Sequence, residues 1–147
     1  MEEHYYSEIE FEVIRLLRRA DFKKTLDGSA EAMDRSAYIL LKFLVQEEAA
    51  TIGEISESFQ LDKSTVSRQV SALEKKKWVR RYSDERDGRK CLVQATELGS
   101  QKFHEAHSAR LAAYREFLQD WTEEELRIFS ELIARLNTSI EQRKKLK

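Results

Sequence analysis

Apolar residues recur along this chain mostly at helical spacing, and one region reads instead as two short strands around a polar loop. Ile9, Val13, Leu16 and Ala20 are separated by four, three and four positions, the repeat of a single helix face. That pattern predicts a first helix over 5–26. Tyr38, Leu41, Leu44 and Val45 mark a second over 34–47, and two shorter helices follow over 51–58 and 62–77. Two long helices close the chain, over 97–119 and 123–144, and the last repeats Leu126, Phe129, Ile133, Leu136 and Ile140 at three-four-three-four spacing. Residues 78–82 and 90–95 instead predict two short strands. They flank the polar, Gly-containing stretch 83–89, which makes a β-hairpin with a longer-than-minimal loop.

Side-chain caps mark where these helices begin. Thr51 with Glu54 and Thr122 with Glu125 are capping boxes, in which each side chain satisfies a backbone donor that the helix leaves unpaired. Asp34 and Asp62 are predicted N-caps, and Thr96 opens another helix. Gly28, Gly88 and Gly99 fall at or near the boundaries. The absence of proline and a total of only four glycines leave few obligatory breaks, so the fold is predicted to be mainly α.

A length of 147 residues predicts a single domain over 1–147, and a hydrophobic share of 41% supplies a core. With 36% of residues charged, no apolar run is long enough to cross a bilayer. The start, Met1-Glu2-Glu3-His4, lacks the basic-then-apolar layout of a secretory signal, and a lone cysteine forms no disulfide framework. The expected location is therefore the cytoplasm, with no membrane partner. The net charge of −1 conceals an uneven distribution. Residues 62–90 carry 10 basic and 5 acidic side chains, whereas residues 1–61 carry 7 and 13. A short cationic segment in an otherwise acidic or neutral chain points to a local surface for a polyanion.

A capped helix, a tight turn, a second helix and then a cationic hairpin is the order of a winged helix-turn-helix, predicted here over 34–98. On the helix 62–77, a step of 100° per residue puts Val66, Val70, Leu73 and the stem of Lys77 on one buried side. Ser64, Arg68, Ser71 and Lys75 fall opposite, with Thr65, Ser67 and Ala72 flanking them. Small hydroxyl residues let a helix settle into a major groove, and an arginine can grip guanine O6 and N7 together. The turn around Ser64, Thr65 and Arg68 is the part predicted to reach base edges. In the hairpin loop, Arg86 and Arg89 suit the negative potential of a narrow minor groove, and Asp84 and Asp87 are expected to pair with them and brace the loop.

The same residues carry a family resemblance. Asp84-Glu85-Arg86-Asp87-Gly88-Arg89, followed by Leu92-Val93-Gln94-Ala95-Thr96-Glu97-Leu98-Gly99, resembles the wing signature of the MarR family of bacterial regulators. Leu61-Asp62-Lys63-Ser64-Thr65-Val66-Ser67-Arg68 is similar to the opening of that family's recognition helix, and Leu73-Glu74-Lys75-Lys76 to its continuation. Three positions depart from the pattern. Ser56 stands where alanine is usual, Gln60 where glycine is common, and Ala95 where leucine precedes the threonine. The resemblance implies a homodimer whose first and last helices, 5–26 and 100–144, interlock, and whose winged units read the half-sites of a near-palindromic operator on double-stranded DNA. The stripes at Ile9, Val13 and Leu16 and at Leu126–Ile140 agree with it as apolar seams, the alternative being packing within one chain.

Other features carry less. His104 and His107 lie three apart on one helix face, one residue short of the zinc-protease spacing and with no second ligand cluster, so they read as surface histidines. Cys91 reads as a partly packed strand residue. Tyr5, Tyr6, Phe11, Tyr38, Phe43, Trp78 and Tyr114 could line a cavity for a small-molecule effector, although aromatics at helical spacing are more often core. No catalytic constellation, glycine-rich phosphate loop or paired-cysteine motif is present, so neither enzyme activity nor a cofactor is predicted. The predicted function is sequence-specific transcriptional regulation by a dimeric repressor released by a small ligand. The alternatives are a winged-helix protein-interaction module without specific DNA binding, which should lack Arg68, Lys75, Arg86 and Arg89, and a metal-responsive member of the same family.

Overall fold

A computed structural model of the chain describes residues 1–19, 22 and 33–145. Its elements run α1 (Glu2–Arg18), α2 (Arg35–Glu47), β1 (Ala50–Thr51), α3 (Ile52–Phe59), α4 (Lys63–Lys75), β2 (Val79–Ser83), β3 (Cys91–Ala95), α5 (Glu97–Phe117) and α6 (Glu123–Lys145). The chain divides into two compact units, Met1–Ala113 and Tyr114–Lys147. The helical architecture with a small antiparallel sheet is the mainly-α winged fold that the periodicity predicts.

The predicted caps form. Asp34 accepts from the Ala37 backbone N–H at 2.9 Å and Asp62 from that of Thr65 at 2.7 Å. At the start of α3, Thr51 Oγ1 accepts from Glu54 N–H while Glu54 accepts from Thr51 N–H. These bonds satisfy backbone donors that the first helical turn cannot pair internally.

The core of the first unit gathers Leu40, Leu41 and Leu44 of α2, Ile55 of α3, and Val66, Val70 and Leu73 of α4. Val79 of β2, Val93 of β3 and Phe103 of α5 complete it, with Met33 and Trp78 from the connections. α3 and α4 join through Gln60, whose backbone is left-handed at φ 55°, ψ 40°. Glycine would take that conformation without steric cost, which accounts for the glycine of the family pattern. Ser56, the other departure in this region, donates its hydroxyl to the Leu61 carbonyl and so closes the turn with a bond that alanine could not make.

The structure departs from the sequence reading in α1, in α4 and in the sheet. α1 begins at Glu2 and stops at Arg18, where Arg19 turns extended and its N–H bonds the Leu16 carbonyl. Ala20, Gly28 and most of the predicted span beyond Arg19 lie outside the described residues. α4 ends at Lys75, and Lys77 is exposed with φ 65° rather than continuing the buried stripe. The left-handed residue reverses the chain so that Trp78, not Lys77, enters the core. The sheet also has a third strand: β1 pairs with β3 in the order β1-β3-β2, through Ala50↔Val93 and Thr51↔Leu92. Two residues are too few to show any periodicity.

Gly99 owes its identity to a close approach. A Cβ there would lie 1.9 Å from the Trp78 carbonyl oxygen, an overlap no side chain could relieve. Thr96 locks the same junction. Its Oγ1 donates to the Lys77 carbonyl at 2.7 Å and accepts from Gly99 N–H at 3.0 Å, and its own N–H bonds the Trp78 carbonyl at 2.9 Å. The wing is thereby fastened to the start of α5.

In the second unit, Thr122 and Glu125 form the second reciprocal capping box at the start of α6, and Trp121 packs on Phe129 at 5.3 Å between ring centroids. The hydrogen bonds from Thr122 hold the Glu125 carboxyl below its ordinary pKa. The predicted stripe is present on α6, but Leu126, Phe129, Ile133, Leu136 and Ile140 are 38–53% exposed and no residue of the helix is buried. In the first unit, α1 likewise buries none of its residues, and Ile9, Val13 and Leu16 are 36–55% exposed.

Candidate nucleic-acid interface

The two elements predicted to meet DNA are α4 and the β2–β3 hairpin. Burial of Val66, Val70 and Leu73 orients α4 and leaves its opposite side to solvent. Ser67, Arg68, Ser71, Ala72, Lys75 and Lys76 line an open concavity of about 500 Å³ there. The helical wheel therefore placed the outward face correctly.

At the start of α4 the polar groups are already organised. Ser64 Oγ donates to Asp62 Oδ1 at 2.7 Å, and Arg68 Nη2 donates to Thr65 Oγ1 at 3.3 Å. Asp62 is held down to a pKa of about 2, first by the Ser64 hydroxyl and then by the Thr65 backbone N–H. A carboxylate accepting several hydrogen bonds stays ionised far into acid, because protonation would forfeit them. The Ser64 hydrogen is thus committed to Asp62, which leaves the hydroxyl its lone pairs to accept with. Arg68 and Lys75 are exposed, whereas Thr65, Ser67 and Ser71 are half-buried.

The wing is braced, but not as ion pairing would have it. Asp84 Oδ1 accepts from Arg86 backbone N–H at 3.0 Å, and Asp87 Oδ1 accepts from Arg89 backbone N–H at 3.1 Å. Both carboxylates close local turns onto the chain two residues ahead, a habit of aspartate in loops. Two backbone bonds, Asp84 N–H to the Lys90 carbonyl and Lys90 N–H to the Asp87 carbonyl, complete the loop at 2.9 and 3.0 Å. The acids hold the backbone of the arginines rather than their guanidinium groups. Both Arg86 and Arg89 remain exposed, which suits contact with a polyanion better than the predicted pairing would.

Strand register separates two arginines that the sequence leaves equivalent. Arg80 faces outward, donating from Nε to Gln94 Oε1 at 2.9 Å and lying 4.4 Å over the Tyr82 ring. Arg81 pairs with Val93 across the sheet and turns toward α4, where Nη2 donates to Ser71 Oγ at 2.8 Å. Sequence reasoning missed Arg81. Alternation along β2 puts Arg81 on the core side only once pairing with β3 has fixed Val79 as a core residue.

The remaining candidates are scattered. Cys91 is exposed rather than partly packed, because it pairs with Ser83 at the end of the ladder farthest from the Val79–Ala95 pair. His107 is half-buried, with Nδ1 2.8 Å from the Tyr38 hydroxyl and its ring stacked on Phe103, while His104 is exposed at the edge of the same phenylalanine. No group of three or more potential metal-binding side chains occurs among the described residues. The aromatics proposed for an effector cavity do not share one environment. Tyr5, Tyr6 and Phe11 are exposed on α1, Trp78 is in the core, and Phe43 packs edge-on against Phe59. No helix among the described residues is long and apolar enough to cross a membrane.

Comparison with known proteins agrees with this geometry. The MarR family model matches residues 33–90, the span from the start of α2 into the wing loop. The uncharacterized HTH-type transcriptional regulator YxaD of Bacillus subtilis is 39% identical over 129 residues, covering 88% of this chain and 90% of the relative. The HTH-type transcriptional repressor MdtR of the same organism is 26% identical over 87% of this chain and 86% of its own. Among solved structures, the YusO protein from Bacillus subtilis shares the fold with a TM-score of 0.70 and 23% identity, covering 92% of this chain and 96% of that one. The arrangement of α4 and its wing, together with the extent of the match to YxaD, leads to one assignment: the chain belongs to the MarR family of helix-turn-helix transcriptional regulators.

Proposed function

We propose that this regulator is a cytoplasmic, sequence-specific DNA-binding homodimer that represses transcription at a near-palindromic operator and is released by a small ligand. The observation that carries the DNA-binding part is the exposure of four cations on α4 and the wing. Arg68 and Lys75 are exposed on α4, and Arg86 and Arg89 are exposed on a wing whose acids are occupied with the backbone. The protein-interaction alternative has no reason to keep these four cations. α4 would enter the major groove with Ser64, Thr65, Ser67, Arg68, Ser71 and Lys75 toward the DNA, and the wing arginines would approach the minor groove.

The uncovered stripes of α1 and α6 support the dimer. Seams of that length exposed in a single chain fit burial against a second copy, and two-fold symmetry is the commonest way to achieve it. The chain then acts as one functional module, with 34–98 as the reading unit and α1 and the helices of 100–144 as the dimerisation elements. Ligand release would follow if an effector favours a dimer whose two reading helices are mis-spaced for the operator. A regulator of this kind needs no catalytic centre.

The test is selection of bound duplexes from a random pool, together with sedimentation at micromolar concentration. An inverted repeat with half-sites about 10 base pairs apart, bound by a dimer, is the expected result. Enrichment of a single unpaired half-site, or a monomer in solution, would overturn the dimeric reading. Failure to enrich any sequence would overturn specific binding.

A further inference from the structure

The inward-facing arginine of the wing lies against a residue of the reading face. Arg81 Nη2 donates to Ser71 Oγ at 2.8 Å and also reaches the Ser67 carbonyl at 3.5 Å. Its Nε lies 3.5 Å from Glu74 Oε1, yet that N–H is buried and makes no hydrogen bond. Ser67, Ser71 and Glu74 follow one another at four and three positions, so Arg81 lies along a single edge of α4. The Glu74 carboxylate offsets that buried N–H by charge rather than by a hydrogen bond, so the hydrogen bonds of this guanidinium go to Ser71 and Ser67.

The bond to Ser71 restricts what that hydroxyl can do. A hydroxyl has one hydrogen to donate and two lone pairs to accept with. A charged donor occupies one lone pair of Ser71, and the hydroxyl hydrogen cannot point at the guanidinium. The alternative acceptor one turn back, the Ser67 carbonyl, already takes the Ser71 backbone N–H of the helix and Arg81 Nη2 at 3.5 Å, which engages both of its lone pairs. The hydrogen is left to face the concavity that Ser71 helps to line. Ser64 has the opposite setting, because its hydrogen is held by Asp62 and it is left as an acceptor. We infer that Arg81 is a positioning residue that sets Ser71 as a hydrogen-bond donor toward DNA, so that the group opposite Ser71 in the complex is an acceptor: a phosphate oxygen or an acceptor atom of a base edge. This rests on the DNA-binding reading above and deepens it.

The experiment measures the affinity of the unmodified chain, Ser71→Ala, Arg81→Met and the double variant for a duplex enriched by the unmodified chain, across several salt concentrations. Each single change should weaken binding about three- to tenfold, the worth of one hydrogen bond. The double variant should be no weaker than the weaker single, because both remove the same contact. The salt slope should stay constant, since neither residue would displace a counterion. Ser71→Thr keeps the hydroxyl and should rescue binding, which separates this role from a purely structural one. A loss shared equally by enriched and random duplexes marks a phosphate oxygen as the acceptor, and a loss tied to one base pair marks a base edge.

Additive losses, no loss for Ser71→Ala, or a slope about one unit shallower for Arg81→Met would overturn the inference, the last by making Arg81 itself a phosphate contact. If Arg81→Met fails to fold, the Ser71→Ala and Ser71→Thr pair still decides it: equal losses for the two would show that the hydroxyl does not serve as a donor. A chain that enriches no duplex overturns the DNA-binding reading and this inference together. A chain that enriches one yet binds it unchanged after Ser71→Ala overturns this inference alone.

Discussion

α4 and α6 are built by the same local rules and end in opposite situations. Each begins at a side-chain cap and carries an apolar stripe at three- and four-residue spacing. On α4 the stripe residues Val66, Val70 and Leu73 are at most 3% exposed, whereas on α6 every stripe residue is at least 38% exposed. A stripe states that something must cover it. It does not state whether the cover comes from the same chain. For α4 the cover is α2, α3 and the sheet of its own unit, and for α6 a second copy of the chain is the occupant proposed above.

The largest expected effect breaks the covered side of this comparison. Gly99→Ala forces a methyl group onto the Trp78 carbonyl, and since neither backbone can give way it should destabilise the first unit by about 3 kcal/mol or more. Chemical denaturation measures it, and a loss below about 1 kcal/mol would mean that the wing-to-α5 junction is looser than the structure has it.

Next comes a matched pair of truncations. Leu73→Ala should cost about 2–5 kcal/mol at every protein concentration, because it opens a cavity inside one chain. Leu136→Ala should act through association instead. Its cost should grow with protein concentration over the range in which dimers form and nearly vanish in dilute monomer. Concentration-independent losses for both would put the α6 stripe inside a single chain and erase the contrast.

A smaller effect, of opposite sign, tests the turn before α4. Gln60 bears the strain of a left-handed backbone, so Gln60→Gly should stabilise the protein by up to about 1 kcal/mol, the steric relief exceeding the added freedom of the unfolded chain. A loss on urea denaturation would show that the Gln60 side chain contributes more than its backbone costs.

The last effect is confined to acid. Asp62 has a folded pKa of about 2, below its ordinary 3.8, so its capping contribution is complete above about pH 5 and is lost as pH falls through 3.8 toward 2. The stability difference between the unmodified chain and Asp62→Ala should therefore shrink between pH 5 and pH 2.5, read from the shift in urea midpoints. A constant difference would mean that the carboxylate does not cap α4 in solution.

Much of the candidate interface was legible in the sequence, because its signals are local. Asp62, Ser64, Thr65 and Arg68 interact within one or two helical turns, and helix geometry alone puts them on a shared surface. The wing is marked by two short strand-like runs around a polar, Gly-containing loop. Its bracing was read wrongly, as ion pairs, because charge sequence does not reveal that an aspartate can reach the backbone N–H two residues on. Arg80 and Arg81 are adjacent and chemically alike, and only pairing with Gln94 and Val93 sends one outward and the other toward Ser71.

What the sequence determined by itself was the set of capped helices, the hairpin and the faces on which apolar and cationic residues gather. These follow from bonds and steric preferences that act over a few neighbouring positions. The tertiary structure alone decided the two-residue third strand, the reversal at Lys77, the inward turn of Arg81 and the contact that forbids a side chain at Gly99. Each of these brings together backbone or side-chain atoms from separate elements, whose meeting depends on how the whole unit closes around its core.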